Sequence, residues 1–358
     1  MKIGSIFNKF ETNYSFLDSI EFGDGNIHST WKINTTEGKS FILQKFNDYV
    51  FKDPIGLMNN MSIISDHLSA KIAKSDLKWK FPEFYRTKKG QFFFRDKDEV
   101  YWRLMAFIDH DPNAGDNEQK YFTAGSSYGQ FIELLSDLPS QQIIETIPKF
   151  HNLPFILKNF KQSVKSTSKQ NRKNAASEIQ FFEKREEELL MIPKLAESGQ
   201  IPVRLVHMDT KFDNILFDNN GIPVAIIDLD TVMPGLVHSD FGDAMRSDGN
   251  ATAEDDPDLS KVKFKMNVFK DYTRGFASSL KKLLSPAEIE TLHLAPGLFA
   301  YMQGVRFLLD YLNGSKYYNI KYPEHNMVRT RNQIRLFEEM KKKEKMMRAV
   351  VHSEFGIC

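Results

Sequence analysis

The sequence predicts an α+β chain in which a small antiparallel β-sheet precedes a larger, mostly helical part, and three observations lead there. Short β-branched and aromatic runs separated by turn residues fill positions 20–107. Beyond a polar stretch at 109–119, rich in Asp, Asn and Gly, apolar residues recur at helical spacing instead. A length of 358 residues accommodates two domains of ordinary size. The change of pattern puts the expected division between 1–108 and 109–358.

In the first part, strands are expected at 30–35, 41–46, 92–95 and 100–107, with turns at Glu37-Gly38 and Lys89-Gly90. Asp53-Pro54 opens a helix that runs to Lys74: an acidic cap, Pro at the first helical position, and Leu57, Met61, Ile64, Leu68 and Ile72 along one stripe. It is expected to pack on the sheet. In the second part, helices are expected at 124–135, 141–150 and 172–197. The Lys-, Ser- and Asn-rich segment 161–173 reads as an exposed connection, and the charged run 341–345 as a solvated helix face.

Charge and cysteine content exclude several classes. Lys and Arg number 48 against 47 Asp and Glu, so the net charge of +1 supplies no field for holding nucleic acid or an anionic membrane. Apolar runs such as 224–227 fall far short of the roughly 20 residues of a spanning helix. Asn8, Lys9 and Glu11 interrupt the apolar core that an export signal needs. The one cysteine, Cys358, can make neither an internal disulfide nor a zinc site, which fits the cytoplasm.

The chemistry concentrates in 205–230, LVHMDTKFDNILFDNNGIPVAIIDLD. His207, Asp209 and Asn214 stand in the spacing H-x-D-x-x-x-x-N, a hairpin follows at 215–217 and 224–227 with its turn at Asn219-Asn220-Gly221, and Asp228 leaves the hairpin. Phosphoryl transfer needs that order: a carboxylate to orient the acceptor hydroxyl, then an amide oxygen and a second carboxylate to hold magnesium against nucleotide phosphates. Asp209 takes the first role, Asn214 and Asp228 the second. His207 reads as a residue that packs and holds the loop. The triplet Asp240-Phe241-Gly242 could offer another metal carboxylate. It lies beyond the Met233-Pro234-Gly235 turn, and Asp240 is instead expected to cap a helix beginning near Asp243 or to hold the catalytic loop from behind by accepting backbone N–H groups.

Upstream, FGDGNIHSTW at 22–31 places Gly23 and Gly25 in a tight turn whose backbone N–H groups can approach nucleotide phosphates. The next strand, FILQKFN, offers a basic residue, Lys45; alternation puts Gln44 on the opposite face, so one of the two meets the phosphates. Lys45 is favoured for its charge. No Glu in the following helix is placed to pair with it.

These motifs resemble the aminoglycoside-phosphotransferase and choline-kinase-like superfamily, and within it the N-acetylhexosamine 1-kinase group. The similarity runs from about 16 to about 337 and rests on the loop from Gly23, FILQKFN with VFKDP, HMDTKFDN, IDLDTVMPG, DFGDAMR and GVRFLLDYLNG. The resemblance implies a protein-kinase-like bilobal fold with an ATP-binding N-lobe and a helical C-lobe that binds the acceptor. It implies Asp209 as the base and Asn214 and Asp228 as magnesium ligands. Met105, Phe107 and Ile108 would form the hinge that meets adenine, and Arg306 would sit on the acceptor side. Arg306 could equally pair with Asp310, one helical turn on.

One departure is visible: where the group reads Gly-His-Ile-Asn, this chain reads Gly25-Asn26-Ile27-His28, so a sugar contact by either Asn26 or His28 would alter substrate preference. The expected activity is an ATP- and magnesium-dependent kinase acting on the anomeric hydroxyl of an amino sugar. The alternatives are a kinase of the same fold for choline, an aminoglycoside or another sugar, and a nucleotide-binding regulator without catalysis. A cationic acceptor would want an acidic or aromatic cage, but the acidic run 254–258 reads as a solvated loop.

Overall fold

The computed structural model describes residues 2–23 and 28–357. In chain order its elements are α1 (Ile3–Phe7), β1 (Phe16–Glu21), β2 (Ser29–Thr35), β3 (Ser40–Lys45), α2 (Pro54–Ile72), β4 (Phe84–Tyr85), β5 (Phe94–Arg95) and β6 (Tyr101–Ala106). Then come α3 (Lys120–Leu134), α4 (Leu153–Ser166), α5 (Lys169–Asn174), α6 (Ala176–Leu189), α7 (Met191–Glu197), β7 (Arg204–Val206), β8 (Ile215–Phe217), β9 (Pro223–Ile226) and β10 (Met233–Gly235). Five helices finish the chain: α8 (Val237–Ser247), α9 (Met266–Leu280), α10 (Pro286–Leu292), α11 (Ala295–Leu312) and α12 (His325–Phe355). The first part is thus a small antiparallel sheet and the second is mostly helical.

Two compact units cross the sequence more than once. The first comprises Met1–Asn117, Leu134–Pro148 and Asn214–Met233; the second comprises Glu118–Glu133, Lys149–Asp213 and Pro234–Cys358. A cut after residue 108 therefore follows the chain but not the packing. Backbone bonds tie the hairpin β8–β9 into the first unit, from Lys80 N–H to Val224 O (2.6 Å) and from Asp111 N–H to Phe217 O (2.8 Å).

In the first unit the strands order β1-β2-β3-β6-β4, with β5 also on β6, all antiparallel. Ile33, Phe41, Leu43, Trp102 and Leu104 point to one face and bury against Ile6, Phe7 and Phe10 from the α1 region. Each such side chain contributes about 1.5–3 kcal/mol of burial, which fixes the register and sends Gln44 and Arg103 to the other face. Helix α2 is capped by Asp53, which accepts the Gly56 N–H at 2.9 Å. Its neighbours include the 3₁₀ turn Leu229–Thr231, and its buried Asn60 holds both backbone groups of Ile144 (2.9 and 3.1 Å). That clamp explains why the helix expected at 141–150 is a single 3₁₀ turn at Ser140–Gln142. Ile143, Ile144 and Thr146 are β-branched and Pro148 follows, so a helix there is weak and loses to Asn60.

In the second unit, the segment 161–173 is helical, not an open connection. Asn152 caps α4 through the Phe155 N–H, and Leu153, Ile156, Leu157 and Phe160 are buried, so only its polar face resembles a linker. The helix expected at 172–197 breaks at Ala175 and Leu190 into α5, α6 and α7. Helix α12 runs 31 residues and ends at Gly356, whose left-handed φ of 72° turns the Ile357 N–H back to His352 O (2.9 Å). Among the described residues no helix is long and apolar enough to cross a membrane.

Candidate active site

The second unit builds the loop that follows β7. His207 is fully buried with its ring edge-on to Tyr128 and Phe131, and its Nδ1 accepts the Asp209 N–H at 3.3 Å. Met208 adopts φ 68°, a left-handed conformation that costs a non-glycine residue about 1–3 kcal/mol and persists only where its surroundings impose it. Asp240 imposes it. Its two carboxylate oxygens accept the backbone N–H groups of His207 and Met208 at 2.8 Å each, and its carbonyl accepts the Thr210 hydroxyl at 2.7 Å. Burial raises the Asp240 carboxyl to about 6, against the pull of His207 and the two N–H groups. Asp240 therefore holds the loop from behind, as one of its two expected roles required, from within α8 and not at its cap. Pro234-Gly235 runs as strand, paired with β7, and not as a turn; glycine is needed at 235 because a side chain there would meet Met208 Cε at 2.1 Å and Val206 Cγ2 at 2.9 Å.

Held this way, Asp209 keeps its carboxylate partly accessible, 2.9 Å from the Lys211 ammonium, and Tyr128 donates to the Lys211 carbonyl at 2.6 Å. Lys211 went unassigned in the sequence, although its position two residues after an acid already signalled it.

Beside this loop the unit assembles a polar cluster. Arg246 donates to Asp243 at 2.9 Å and to Glu254 at 3.3 Å. Burial pushes the Asp243 carboxyl up, but Arg246 outweighs it and lowers the carboxyl, with help from Lys211. Arg306 lies 4.8 Å from the centre of the Phe150 ring and donates to Gln303 at 3.4 Å; Gln303 in turn donates to Tyr318 at 3.2 Å. Phe150 stacks on His151, 4.3 Å between ring centres. Burial lowers the His151 imidazole to about 3, so it is neutral at pH 7, and among the described residues its buried Nδ1 has no hydrogen-bond partner. Asp310 is not available to Arg306: it accepts the N–H groups of Lys316, Tyr317 and Tyr318 and the Asn326 amide. The acidic run 254–258 is matched as well as solvated, with Glu254 on Arg246, Asp255 on Lys321 and His325, and Asp258 on Lys261.

The first unit carries Asn214 and Asp228. They enter and leave the hairpin β8–β9, whose register pairs Ile215 with Ile226 and whose end is closed by a bond from Ile227 N–H to Asn214 O (2.9 Å). Asp218 shapes the turn by accepting the Asn220 and Ile222 N–H groups, with Gly221 at φ 73°. Asp228 is exposed and also left-handed, φ 59° and ψ 49°. An amide oxygen and a carboxylate are hard donors that suit magnesium, which typically takes one or two carboxylates and fills its other positions with phosphate and water.

Two residues on, Asp230 is buried in a network the sequence did not reveal. Arg103 on β6 donates to both its oxygens (2.5 and 2.7 Å) and to Gln44 Oε1 (2.9 and 2.6 Å), while Gln44 donates to Thr30 at 3.0 Å. His28 Nδ1 accepts the Asn47 N–H at 3.1 Å, so Nε2 carries the proton and donates to Asp230 at 2.9 Å. The Thr146 hydroxyl bonds the Asp230 carbonyl at 2.7 Å. Burial alone would raise the Asp230 carboxyl, but Arg103 and His28 hold it well below the usual carboxylate range.

This network relocates two expectations. Lys45 pairs with Trp102 across the sheet and shares the face that packs on α1, whereas Gln44 shares the face of Arg103. The apolar alternation of Phe41 and Leu43 fixes this register and so sets the face that Lys45 takes. His28 gives both ring nitrogens to its own unit and stacks on Phe51, 5.3 Å between ring centres, so it stands in the structure as a prop for Asp230. Gly23 has φ 77°, and among the described residues nothing lies within 4 Å of where its side chain would begin; Gly25 lies outside the described residues. Met105 pairs with Ile42 and Phe84, and Phe107 sits against Phe22 (5.8 Å) and under the Lys32 ammonium (3.9 Å). Ile108 is buried, and its carbonyl bonds His110 at 2.8 Å.

Comparison with known proteins agrees with this fold. Residues 19–264 match the phosphotransferase enzyme family. Among solved structures, the chain is similar to a microcompartment-associated aminopropanol kinase, with a TM-score of 0.60 and 17% identity over 96% of this chain and 97% of that one. It is also similar to amicoumacin kinase in complex with AMP-PNP, Ca2+ and Ami, with a TM-score of 0.57 and 13% identity over 92% and 90% of the two chains. A choline kinase from Cryptosporidium parvum Iowa II matches with a TM-score of 0.56 and 15% identity over 99% of each chain. At these identities the likeness is one of fold.

Proposed function

From the premise that the chain belongs to the phosphotransferase enzyme family and transfers phosphate to a small-molecule alcohol, we propose that it is an ATP- and magnesium-dependent kinase of a neutral sugar, acting on the anomeric hydroxyl of an N-acetylhexosamine. The observation that carries the acceptor class is the charge balance of the cluster in the second unit. Its acids, Asp243 and Glu254, are matched by Arg246, while the partners of Arg306 are the neutral Gln303 amide and the Phe150 ring. A cationic acceptor would want an acidic or aromatic cage, and here the acids are already matched and the Phe150 ring already carries a cation, Arg306. Guanidinium, amide and phenol donors over an aromatic ring suit the oxygens and apolar face of a sugar. The motifs VMPG and DFGDAMR support the amino-sugar assignment within that class.

In this reading Asp209 accepts the proton of the acceptor hydroxyl as its oxygen bonds to the γ-phosphorus. The bond from that phosphorus to the β-phosphate oxygen breaks, and ADP leaves. Lys211 orients the Asp209 carboxylate and supplies positive charge where the phosphoryl oxygens gather. Asn214 and Asp228 would hold magnesium, which when bound neutralises nucleotide phosphate charge. Gly23, Gly25 and the backbone of Met105, Phe107 and Ile108 take the nucleotide; Lys45 is no longer in that set.

The test is to incubate the protein with Mg·ATP and N-acetylglucosamine, N-acetylgalactosamine, galactose, choline or kanamycin, following ADP release and locating phosphate by phosphorus NMR. The expected product is an anomeric phosphate on an N-acetylhexosamine. Turnover of choline or kanamycin alone would overturn the acceptor class.

A further inference from the structure

We propose that Arg103 and Asp230 form a buried strut that sets the metal-binding turn, so that their ion pair governs divalent-cation affinity through the backbone of Asp228. The inference rests on the reading of Asp228 as a metal ligand and adds two positioning residues to it.

The reasoning starts from strain. Asp228 is a non-glycine residue at φ 59°, followed at once by a 3₁₀ turn whose second residue is Asp230. A left-handed residue at an exposed position relaxes unless something holds the chain on either side. On the N-terminal side the bond from Ile227 N–H to Asn214 O does so. On the other side Asp230 is clamped at three points: its carboxylate by Arg103, the same carboxylate by His28, and its carbonyl by Thr146. Arg103 is itself fixed, because Gln44 accepts from both its Nε and its Nη2 and the ring of Phe46 lies 4.9 Å away.

The chemistry also excludes the simpler role for Asp230. A second carboxylate two residues from a metal ligand invites assignment as another ligand. Both its oxygens already accept hydrogen bonds from cationic or ring N–H donors, and the residue is only 2% exposed. It therefore acts on the metal through position. The pair supplies a cation and an acid on the face of the sheet where β3 carries no lysine: Gln44 stands on that face of β3, and the cation comes from β6 instead.

The experiment measures Mn2+ binding by electron paramagnetic resonance with AMP-PNP present, and AMP-PNP binding in EDTA, for the wild type, Asp228→Ala, Asp230→Asn and the double variant R103M/D230L. Outer partners of metal ligands are worth about 10–100-fold in metal affinity, so both strut variants should bind Mn2+ about tenfold or more weakly, with metal-free AMP-PNP affinity within about threefold of wild type. Replacing a buried ion pair by apolar groups spares stability, so the double variant should melt above Asp230→Asn while its Mn2+ affinity stays low. Recovery of Mn2+ affinity together with the melting temperature would overturn the strut and leave a structural ion pair. Wild-type affinity in Asp230→Asn would also overturn the strut, provided Asp228→Ala binds weakly. If Asp228→Ala itself binds as wild type does, the ligand assignment beneath the proposal falls. Should the strut variants fail to fold, Thr146→Val decides: loss of that one hydrogen bond should weaken Mn2+ about threefold, and no change overturns the proposal.

Discussion

Two buried aspartates, one in each unit, do the same work on the backbone by opposite electrostatic means. Asp230 backs the turn of Asp228 and Asp240 backs the loop of Asp209, and each stabilises a left-handed non-glycine residue, Asp228 at φ 59° and Met208 at φ 68°. Asp230 does so through a guanidinium and an imidazole, Asp240 through two main-chain N–H groups. The first carboxyl is consequently held low and the second raised to about 6. The difference teaches that a strained functional loop can be fixed by a side-chain partner, which a second substitution can replace, or by its own backbone, which none can.

The largest effect should come from the acid that each loop presents. Asp209→Asn is expected to lower kcat about a thousandfold, the range for loss of a positioned base, with Mn2+ and AMP-PNP binding unchanged. Asp228→Asn should lower activity comparably but weaken Mn2+ binding as well. If both variants lose metal affinity equally, the two loops do not divide the chemistry as the comparison requires.

Next in size is the cost of removing an anchor. Asp240→Asn keeps one carbonyl acceptor for two N–H groups, and leaving one buried donor unpaired costs about 1–3 kcal/mol; urea unfolding reads it directly. No second substitution should restore that loss, in contrast to R103M/D230L in the other unit. A smaller effect lies outside both loops. Arg306→Gln should raise the acceptor KM about tenfold, the value of one charge-assisted hydrogen bond, leaving the KM for ATP and both Mn2+ parameters alone.

Much of this was legible in the residues, and the parts that were not share a cause. H-x-D-x-x-x-x-N and the following hairpin show in sequence because local chain geometry sets their spacing, and Asp240 could be read as a backbone anchor because it follows within one turn-and-helix step. The sheet register is legible in Phe41 and Leu43, whose alternation sets the faces of Gln44 and Lys45 whatever their charge. Arg103 and Asp230 are 127 positions apart; nothing local links them, and each alone looks like a solvent-facing charge. The failed helix at 141–150 has the same origin, since Asn60, which holds Ile144, lies 84 residues away.

The finest test uses pH to separate the two anchors by sign. Asp240 has a folded value of about 6 against an ordinary value of 3.8, so the folded state binds this proton more tightly than the unfolded chain. Its contribution to stability is full below about 4 and is lost as pH rises through about 6. Between pH 5 and pH 7.5 the wild type should therefore lose about 1 kcal/mol that Asp240→Asn does not lose. Asp248, also raised to about 6 by burial, is present in both proteins and cancels from the difference. Asp230 behaves the other way: its folded value is depressed, so its contribution is present above its ordinary 3.8 and is lost only on further acidification. Over the same interval the gap between wild type and Asp230→Asn should stay constant. Urea midpoints at the two pH values for the three proteins give both differences. A constant gap for Asp240→Asn would mean that its two N–H partners offset burial fully, and the electrostatic contrast between the anchors would vanish while their shared backbone role survived.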